Sequence, residues 1–239
     1  MDKNSNGYTF GFAIVMVIVV GSLLSLAAVS LKPFQQENIQ KEKKQNILAS
    51  INVVTSRSEA DALFSEYVKK QVVINNQGEV VSEEDGSAFG IDVKKEYKEW
   101  KAGAREESKL NFPLFVCNKD GEDYYVVPMV GTGLWGPIWG FVSLKGDLNT
   151  IFGANFDHKT ETPGLGAEIK ESIFEEQFSG DQIYANGEVA FVIMKGGGGS
   201  DNPNGVDGIT GGTITSKGVE EMLQRTFEVY KPYFEKIKS

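Results

Sequence analysis

Three glycine-rich stretches carry the residues whose types and spacing suit chemistry. The first, Asp207-Gly208-Ile209-Thr210-Gly211-Gly212-Thr213-Ile214-Thr215-Ser216, places hydroxyls and pliant backbone just ahead of an amphipathic segment. A loop that opens a helix binds phosphate well, because free N–H groups and the helix dipole point at the anion. The same residues also suit plain N-capping by Thr215 or Ser216, which on residue types alone is the commoner outcome. The second stretch, Glu161-Thr162-Pro163-Gly164-Leu165-Gly166, holds a Pro-Gly turn whose glycines let backbone approach a ligand closely. Leu165 would sit at the loop tip as an exposed apolar side chain able to cover a flat ring. The third, Gly131-Thr132-Gly133-Leu134-Trp135-Gly136, matches G-x-G-x-x-G literally. A dinucleotide site needs a helix to open there, whereas Pro137 and a strand-like segment follow, so a tight turn between strands is expected.

The rest of the composition narrows the chemistry. The 239 residues carry a formal net charge of -9, unlike the clustered basic surface that a nucleic-acid partner requires. The single cysteine, Cys117, allows no internal disulfide, no Cys-based iron–sulfur site and no CxxC motif. Its apolar setting, from Phe112 onward, suggests a buried thiol. The single histidine, His158, leaves too few Cys and His ligands for a zinc site and is expected to be a polar loop residue.

These stretches need elements to position them. No charged residue appears from Phe10 to Leu31, long enough for the roughly 20 residues that span hydrocarbon. Ala28-Val29-Ser30 would pass as a cleavage site, but the run exceeds the h-region of a signal peptide, so a retained anchor is expected. Lys32, Lys41, Lys43 and Lys44 follow the span and only Lys3 precedes it. That count alone would leave the C-terminal part in the cytoplasm.

Residues 1–32 are therefore assigned to the N-terminal segment and anchor, with Pro33 ending the span. Residues 33–70 are a helical stalk, with apolar positions Ile39, Ile47, Leu48, Ile51, Val54, Leu63, Phe64, Tyr67 and Val68 at near-helical spacing. A soluble domain covers 71–239. Within it, Val72–Ile74 and Val80–Val81 read as a hairpin around Asn75-Asn76-Gln77-Gly78. Residues 82–110 read as a charged surface excursion. Leu114–Val116 and Tyr124–Val127 flank the turn Asn118-Lys119-Asp120-Gly121. Trp139–Val142 and Val189–Ile193 are further strands, Ser172–Phe178 a short helix, and Gly196–Asn204 a loop. A terminal helix from about Lys217 shows Val219, Met222, Leu223, Thr226, Tyr230, Tyr233 and Ile237 on one face. The fold class expected is α+β, a twisted antiparallel sheet with packed helices.

Asp207…Thr210-Gly211-Gly212-Thr213 resembles the Asp…Ser/Thr-Gly-Ala-Thr flavinylation motif of FMN-binding domains, with Gly212 where the family usually has Ala. ETPGLG at 161–166 and GLWGPIWG at 133–140 resemble further signatures of that domain, in the family's order behind one N-terminal span. Together they resemble the C subunits (NqrC) of the Na⁺-translocating NADH:quinone oxidoreductases (Nqr), with the G subunit of Rnf complexes as a close relative.

The resemblance implies an electron-carrier subunit whose FMN is joined by a flavin transferase, as a phosphoester, to Thr213. It implies other membrane subunits of a redox-driven pump as partners and an inner-membrane protein with a periplasmic domain. That placement runs against the lysine count and is adopted on the strength of the whole-chain resemblance. Thr210, Gly211, Gly212 and Gly166 would then border the cofactor. Leu165 and Trp135 would pack on the ring and Thr162 would hydrogen-bond its edge. Lys195, where the family carries a basic residue, would stabilise negative charge on a reduced flavin. Asp207 and Thr215 complete the motif, with Asp207 serving the transferase or the loop's turn. A membrane-tethered module binding some other ligand through these loops is the contrasting expectation, separable by colour, since a covalent flavoprotein stays yellow on denaturation.

Overall fold

A computed structural model describes residues 5–238 and forms two compact units, Met1–Lys43 and Lys44–Ser239. From Asn6 on, the first unit consists of helix α1 (Asn6–Ser50), which includes a stretch long and apolar enough to cross a membrane, none of it buried. Pro33 was expected to end the span, yet α1 runs through it. A proline forfeits one backbone hydrogen bond, here to the carbonyl of Val29, and the helix continues on both sides.

The second unit is built on a six-stranded antiparallel sheet of order β2-β1-β3-β4-β5-β6. Its strands are β1 (Val68–Ile74), β2 (Val80–Ser82), β3 (Phe112–Lys119), β4 (Glu122–Thr132), β5 (Pro137–Leu144) and β6 (Ile151–His158). The two hairpins expected from turn chemistry are present. At the β3–β4 turn Asp120 and Gly121 both have positive φ (55° and 85°), the pairing that matches strand twist in a two-residue hairpin. Two short sheets complete the strands: β7 (Tyr184–Ala185) with β8 (Glu188–Val189), and β9 (Val192–Met194) parallel to β10 (Gly205–Asp207). The expected single strand Val189–Ile193 is thus divided. Ala190 donates its N–H to the Ile183 carbonyl and Phe191 turns into the core, so β8 and β9 join different sheets.

Alternation along the strands fills two cores. Val72, Leu114, Val127, Met129 and Val142 face one side, where they pack with helix α6 (Thr213–Lys238) and with the segment holding α5 (Ser172–Glu175) and a 3₁₀ turn (Glu176–Phe178). Val73, Phe115, Cys117, Val126 and Phe141 face the other, with Ile47 and Leu48 from the end of α1, Ile51 just after it, and Phe64 from α2 (Ala60–Tyr67). Residues 44–70 therefore belong to the compact unit, where a stalk was expected; their apolar spacing fits a buried face of that unit. Val54 alone of the stalk's expected apolar positions in this stretch stands almost fully exposed. Burial pushes the Cys117 thiol up to about 12, consistent with an inert structural group.

The excursion at 82–110 contains α3 (Ser87–Gly90) and α4 (Val93–Lys101), which packs on β4 with Tyr97 beneath the Arg225 guanidinium at 4.4 Å. Helix α6 starts at Thr213 rather than near Lys217, because Gly212 already accepts the first helical hydrogen bond, from Ser216 N–H. Its inward face is as expected except for Ile237, which is exposed while Phe234 is buried.

Candidate functional site

Thr213 is the first residue of a 26-residue helix. The first N–H groups of a helix have no intrahelical partner, and the dipole adds partial positive charge there. Gly211, with φ of 78°, makes the left-handed turn that brings the chain from β10 into α6. Thr215 and Ser216 do not cap the helix, contrary to the plain capping outcome; both are buried and reach other segments. Ser216 Oγ accepts from Ile209 N–H at 3.0 Å, and Thr215 Oγ1 donates to Glu161 Oε2 at 2.6 Å.

A cavity of about 150 Å³ opens beside Thr213. It is lined by Ile193 to Gly196 at the end of β9, by Gly208 to Gly211, and by Thr213, Ser216 and Lys217. Lys195 thus shares a cavity with Thr213, Thr210 and Gly211. Lys195 is exposed and has no ion-pair partner among the described residues, whereas Lys217 is paired with Glu220 at 2.7 Å. Gly196, Gly197 and Gly198 all have positive φ (87°, 100° and 94°), so the backbone after Lys195 takes a path that side chains resist. Asp207 holds that run in place: its carboxylate accepts Gly199 N–H at 2.6 Å, while its own N–H donates to Gln177 Oε1.

The other two stretches converge on the same helix end. The Gly131–Gly136 stretch joins β4 to β5 as a tight turn closed by Gly133 N–H on the Gly136 carbonyl, and no helix opens there. Trp135 and Leu134 are exposed at its tip. Thr162 is exposed, and its carbonyl takes the N–H groups of both Leu165 and Ala167 at 3.1 Å, shaping the entry into the 3₁₀ helix Gly166–Lys170. Leu165, 42% exposed, lies over Gly211: a Cβ at Gly211 would stand 2.6 Å from Leu165 Cδ2. Of the expected ring partners, Leu165 lies against the Thr213 loop, but Leu165, Thr162 and Trp135 do not line the cavity itself. Gly166 sits buried against Thr215 and Glu161.

Glu161 links all three stretches, and residue typing did not single it out. Its buried carboxylate accepts Trp135 N–H at 2.7 Å on Oε1 and the Thr215 hydroxyl on Oε2. Its own N–H donates to His158 Nδ1 at 3.2 Å, so His158 closes strand β6 and braces this loop, where an ordinary loop residue was expected.

The residues fit FMN. The helix N-terminus with Lys195 and Lys217 suits a phosphate, Thr213 lines the same cavity, and exposed Leu165, Leu134 and Trp135 offer apolar surface to a planar ring.

Residues 133–228 match the FMN-binding domain family. Over its full length the chain is 31% identical to the C subunit of the Na(+)-translocating NADH-quinone reductase of Haemophilus ducreyi, covering 96% of that protein. It is 33% identical to the corresponding C subunit of Pseudomonas aeruginosa, with 93% of this chain and 91% of that one aligned. Among solved structures it is similar to the C subunit from Parabacteroides distasonis, at 42% identity and a TM-score of 0.75, covering 85% of this chain and 96% of that one. NqrC of Shewanella oneidensis is similar at 26% identity and a TM-score of 0.70, covering 83% and 97%. With full-length identity, domain match and fold in agreement, this chain belongs to the NqrC family, the C subunits of the Na⁺-translocating NADH-quinone reductases.

Proposed function

We propose that the chain is the FMN-bearing electron-carrier subunit of a Na⁺-translocating NADH:quinone reductase, with its FMN held by a phosphoester to Thr213 Oγ1. The observation that carries the reading is the position of Thr213: first residue of a long helix, on the wall of a cavity it shares with a lysine that has no ion-pair partner among the described residues. When bound, the flavin supplies the redox chemistry, and the protein's part is placement and electrostatics.

Each expected residue then has a task. Thr213 supplies the anchoring oxygen. Thr210, Gly211 and Gly212 bring backbone to the phosphate, and Lys195 places a positive charge on the cavity wall. Leu165 and Trp135 give the ring an apolar cover, Gly166 keeps the ETPGLG loop close to α6, and Thr162 is exposed for a polar contact at the ring edge. Asp207 fixes the glycine run behind Lys195. A Thr hydroxyl is a weak nucleophile unless activated, and the carboxylates of these stretches are engaged elsewhere, Glu161 by Thr215 and Asp207 by Gly199 N–H, so a separate flavin transferase performs the attachment. The apolar stretch of α1 anchors the chain in the inner membrane, the compact unit from Lys44 onward carries the FMN-binding domain on the periplasmic side, and the other membrane subunits of the pump are its partners.

The test is intact mass after co-expression with a flavin transferase. The native chain should gain the mass of FMN less water, and Thr213→Ala should not. An unmodified native chain, beside a control substrate that is modified, would overturn the assignment. Protease protection of the domain in spheroplasts would overturn the periplasmic placement.

A further inference from the structure

We infer that Glu161 is a positioning residue for Thr213: its buried carboxylate clamps the Trp135 turn to the first turn of α6 and so presents the attachment hydroxyl to the cavity. The inference rests on the reading of Thr213 given above. Glu161 lies 54 residues from Thr215 along the chain, yet its Oε2 takes the Thr215 hydroxyl at 2.6 Å while Oε1 takes Trp135 N–H at 2.7 Å. One donor on each oxygen satisfies a buried carboxylate that would otherwise be costly. The surroundings leave no slack. A Cβ at Gly133 would stand 2.6 Å from Glu161 Oε1, and one at Gly166 would collide with Glu161 Oε2 and Thr215 Oγ1.

Helix geometry turns this clamp into a statement about Thr213. Residues two apart on an α-helix project roughly 200° from each other. Drawing Thr215 inward to Glu161 therefore directs Thr213 outward, and Thr215 is buried while Thr213 is half-buried on the cavity wall. Without the clamp the first turn of α6 is free to fray, and the hydroxyl is no longer held in one place for the transferase.

Alanine and glutamine separate this role from simple packing. Alanine at 161 orphans both donors. Glutamine keeps both bonds: its amide oxygen accepts Trp135 N–H and its NH₂ donates to Thr215 Oγ1, since a hydroxyl can accept as well as donate.

The experiment follows the rate of FMN mass gain in the full chain co-expressed with a flavin transferase, together with the melting temperature of the unmodified protein. Glu161→Ala and Thr215→Val should each slow the gain by about tenfold or more, and Glu161→Gln should stay within about threefold of native. The double variant Glu161→Ala/Thr215→Val should be no slower than Glu161→Ala alone, because the two changes remove one shared bond. Native-rate modification of Glu161→Ala, additive slowing in the double variant, or Glu161→Gln as slow as Glu161→Ala would overturn the clamp. Should Glu161→Ala lose its cooperative melt, Thr215→Val decides: slow at native melting temperature supports the clamp, native rate overturns it. A native chain that gains no mass refutes the Thr213 reading and this inference with it, whereas failure of the clamp alone leaves native modification intact.

Discussion

The chain contains two glycine-rich loops that look alike as phosphate cradles, Gly131–Gly136 and Gly208–Thr213, and the structure gives them different tasks. The first joins two antiparallel strands and closes on itself through Gly133 N–H and the Gly136 carbonyl. The second turns through the left-handed Gly211 into a 26-residue helix. Glycine spacing alone does not make an anion site; a helix that begins at the loop does, because it supplies aligned N–H groups and the positive end of a dipole. The two loops nevertheless belong to one site. Glu161 fastens the first, by Trp135 N–H, to the helix that the second opens, by Thr215. The literal fingerprint thus braces the helix end through Trp135 N–H and Glu161, while residues of the less conspicuous Thr-Gly-Gly-Thr line the cavity.

The largest expected effect pits a hydroxyl of one loop against a hydroxyl of the other. Thr213→Ala should abolish covalent FMN, read as complete loss of the mass gain and of in-gel fluorescence after denaturation. Thr132→Ala removes an exposed hydroxyl whose partner is Lys101 Nζ at 3.2 Å, and should leave modification unchanged. Loss of modification in both variants would mean that the two loops are not distinguished in the way the helix argues.

A second pair tests the loops' glycines. Gly133→Ala forces a methyl against a buried carboxylate held on both oxygens, so the backbone must shift; overpacking of this kind costs about 1–3 kcal/mol. Gly211→Ala meets only the flexible end of Leu165, and its main cost is the left-handed backbone, about 1–2 kcal/mol. Urea unfolding of the full chain should therefore rank Gly133→Ala as the more damaging change. The reverse order would show that Glu161 yields easily and is not a fixed anchor.

Much of this arrangement was legible in the residues, and what was missed has physical causes. Local signals carried well: Asp120-Gly121 dictates its hairpin through positive φ, and the apolar period of α6 survives in the structure almost position by position. The Thr213 loop was legible because its chemistry and its helix are adjacent in sequence. Strand β6 was missed because Gly153, Asn155 and Asp157 interrupt Ile151, Phe152, Ala154 and Phe156 with residues that strands disfavour. Helix α4 hid in a charged stretch whose apolar face is mainly Tyr97 and Trp100. Glu161 could not be found by typing, since an isolated glutamate ahead of Thr-Pro-Gly looks like loop polarity. Only the long-range contact with Thr215 reveals it.

A smaller effect separates the cavity's two lysines. Lys195 is unpaired among the described residues and Lys217 is held by Glu220. Lys195→Gln should weaken stabilisation of negative charge on the reduced flavin about tenfold, a fall of about 60 mV for a one-electron step. The shift should shrink in high salt, because an exposed charge is screened. Lys217→Gln should move the potential less, since Glu220 already offsets its charge. Redox titration of the two variants at low and high salt checks both statements, and equal shifts would mean that Lys195 is no nearer the flavin than its neighbour.

The smallest effect concerns a half-buried glutamate, Glu175, which lies outside both loops and serves as the contrast to the buried Glu161. Glu175 accepts Phe156 N–H at 2.6 Å and a weaker contact from Asn155 Nδ2 at 3.4 Å, both on the same oxygen. Burial pushes it up to about 7 from its ordinary value of 4.5, helped by the nearby charges of Glu171 and Asp157 and opposed by the Phe156 hydrogen bond. Above pH 4.5 the unfolded chain has released this proton while the folded one still holds it. The native state then binds more protons, so stability falls as pH rises from about 4.5 through about 7. Asp181, raised by burial to about 6 from 3.8, acts in the same sense over a lower window. Glu175→Gln keeps a carbonyl to receive Phe156 N–H and removes the titration. Discounted for partial exposure, it should flatten the decline by about 1 kcal/mol, roughly 2–4 °C in melting temperature between about pH 5 and 7.5. Asp181 still contributes a decline of the same sign at the acid end. FMN attachment at Thr213 should not change in this variant, because Glu175 touches neither glycine-rich loop. A variant that lost flavin along with the pH slope would join the two regions that the structure keeps apart.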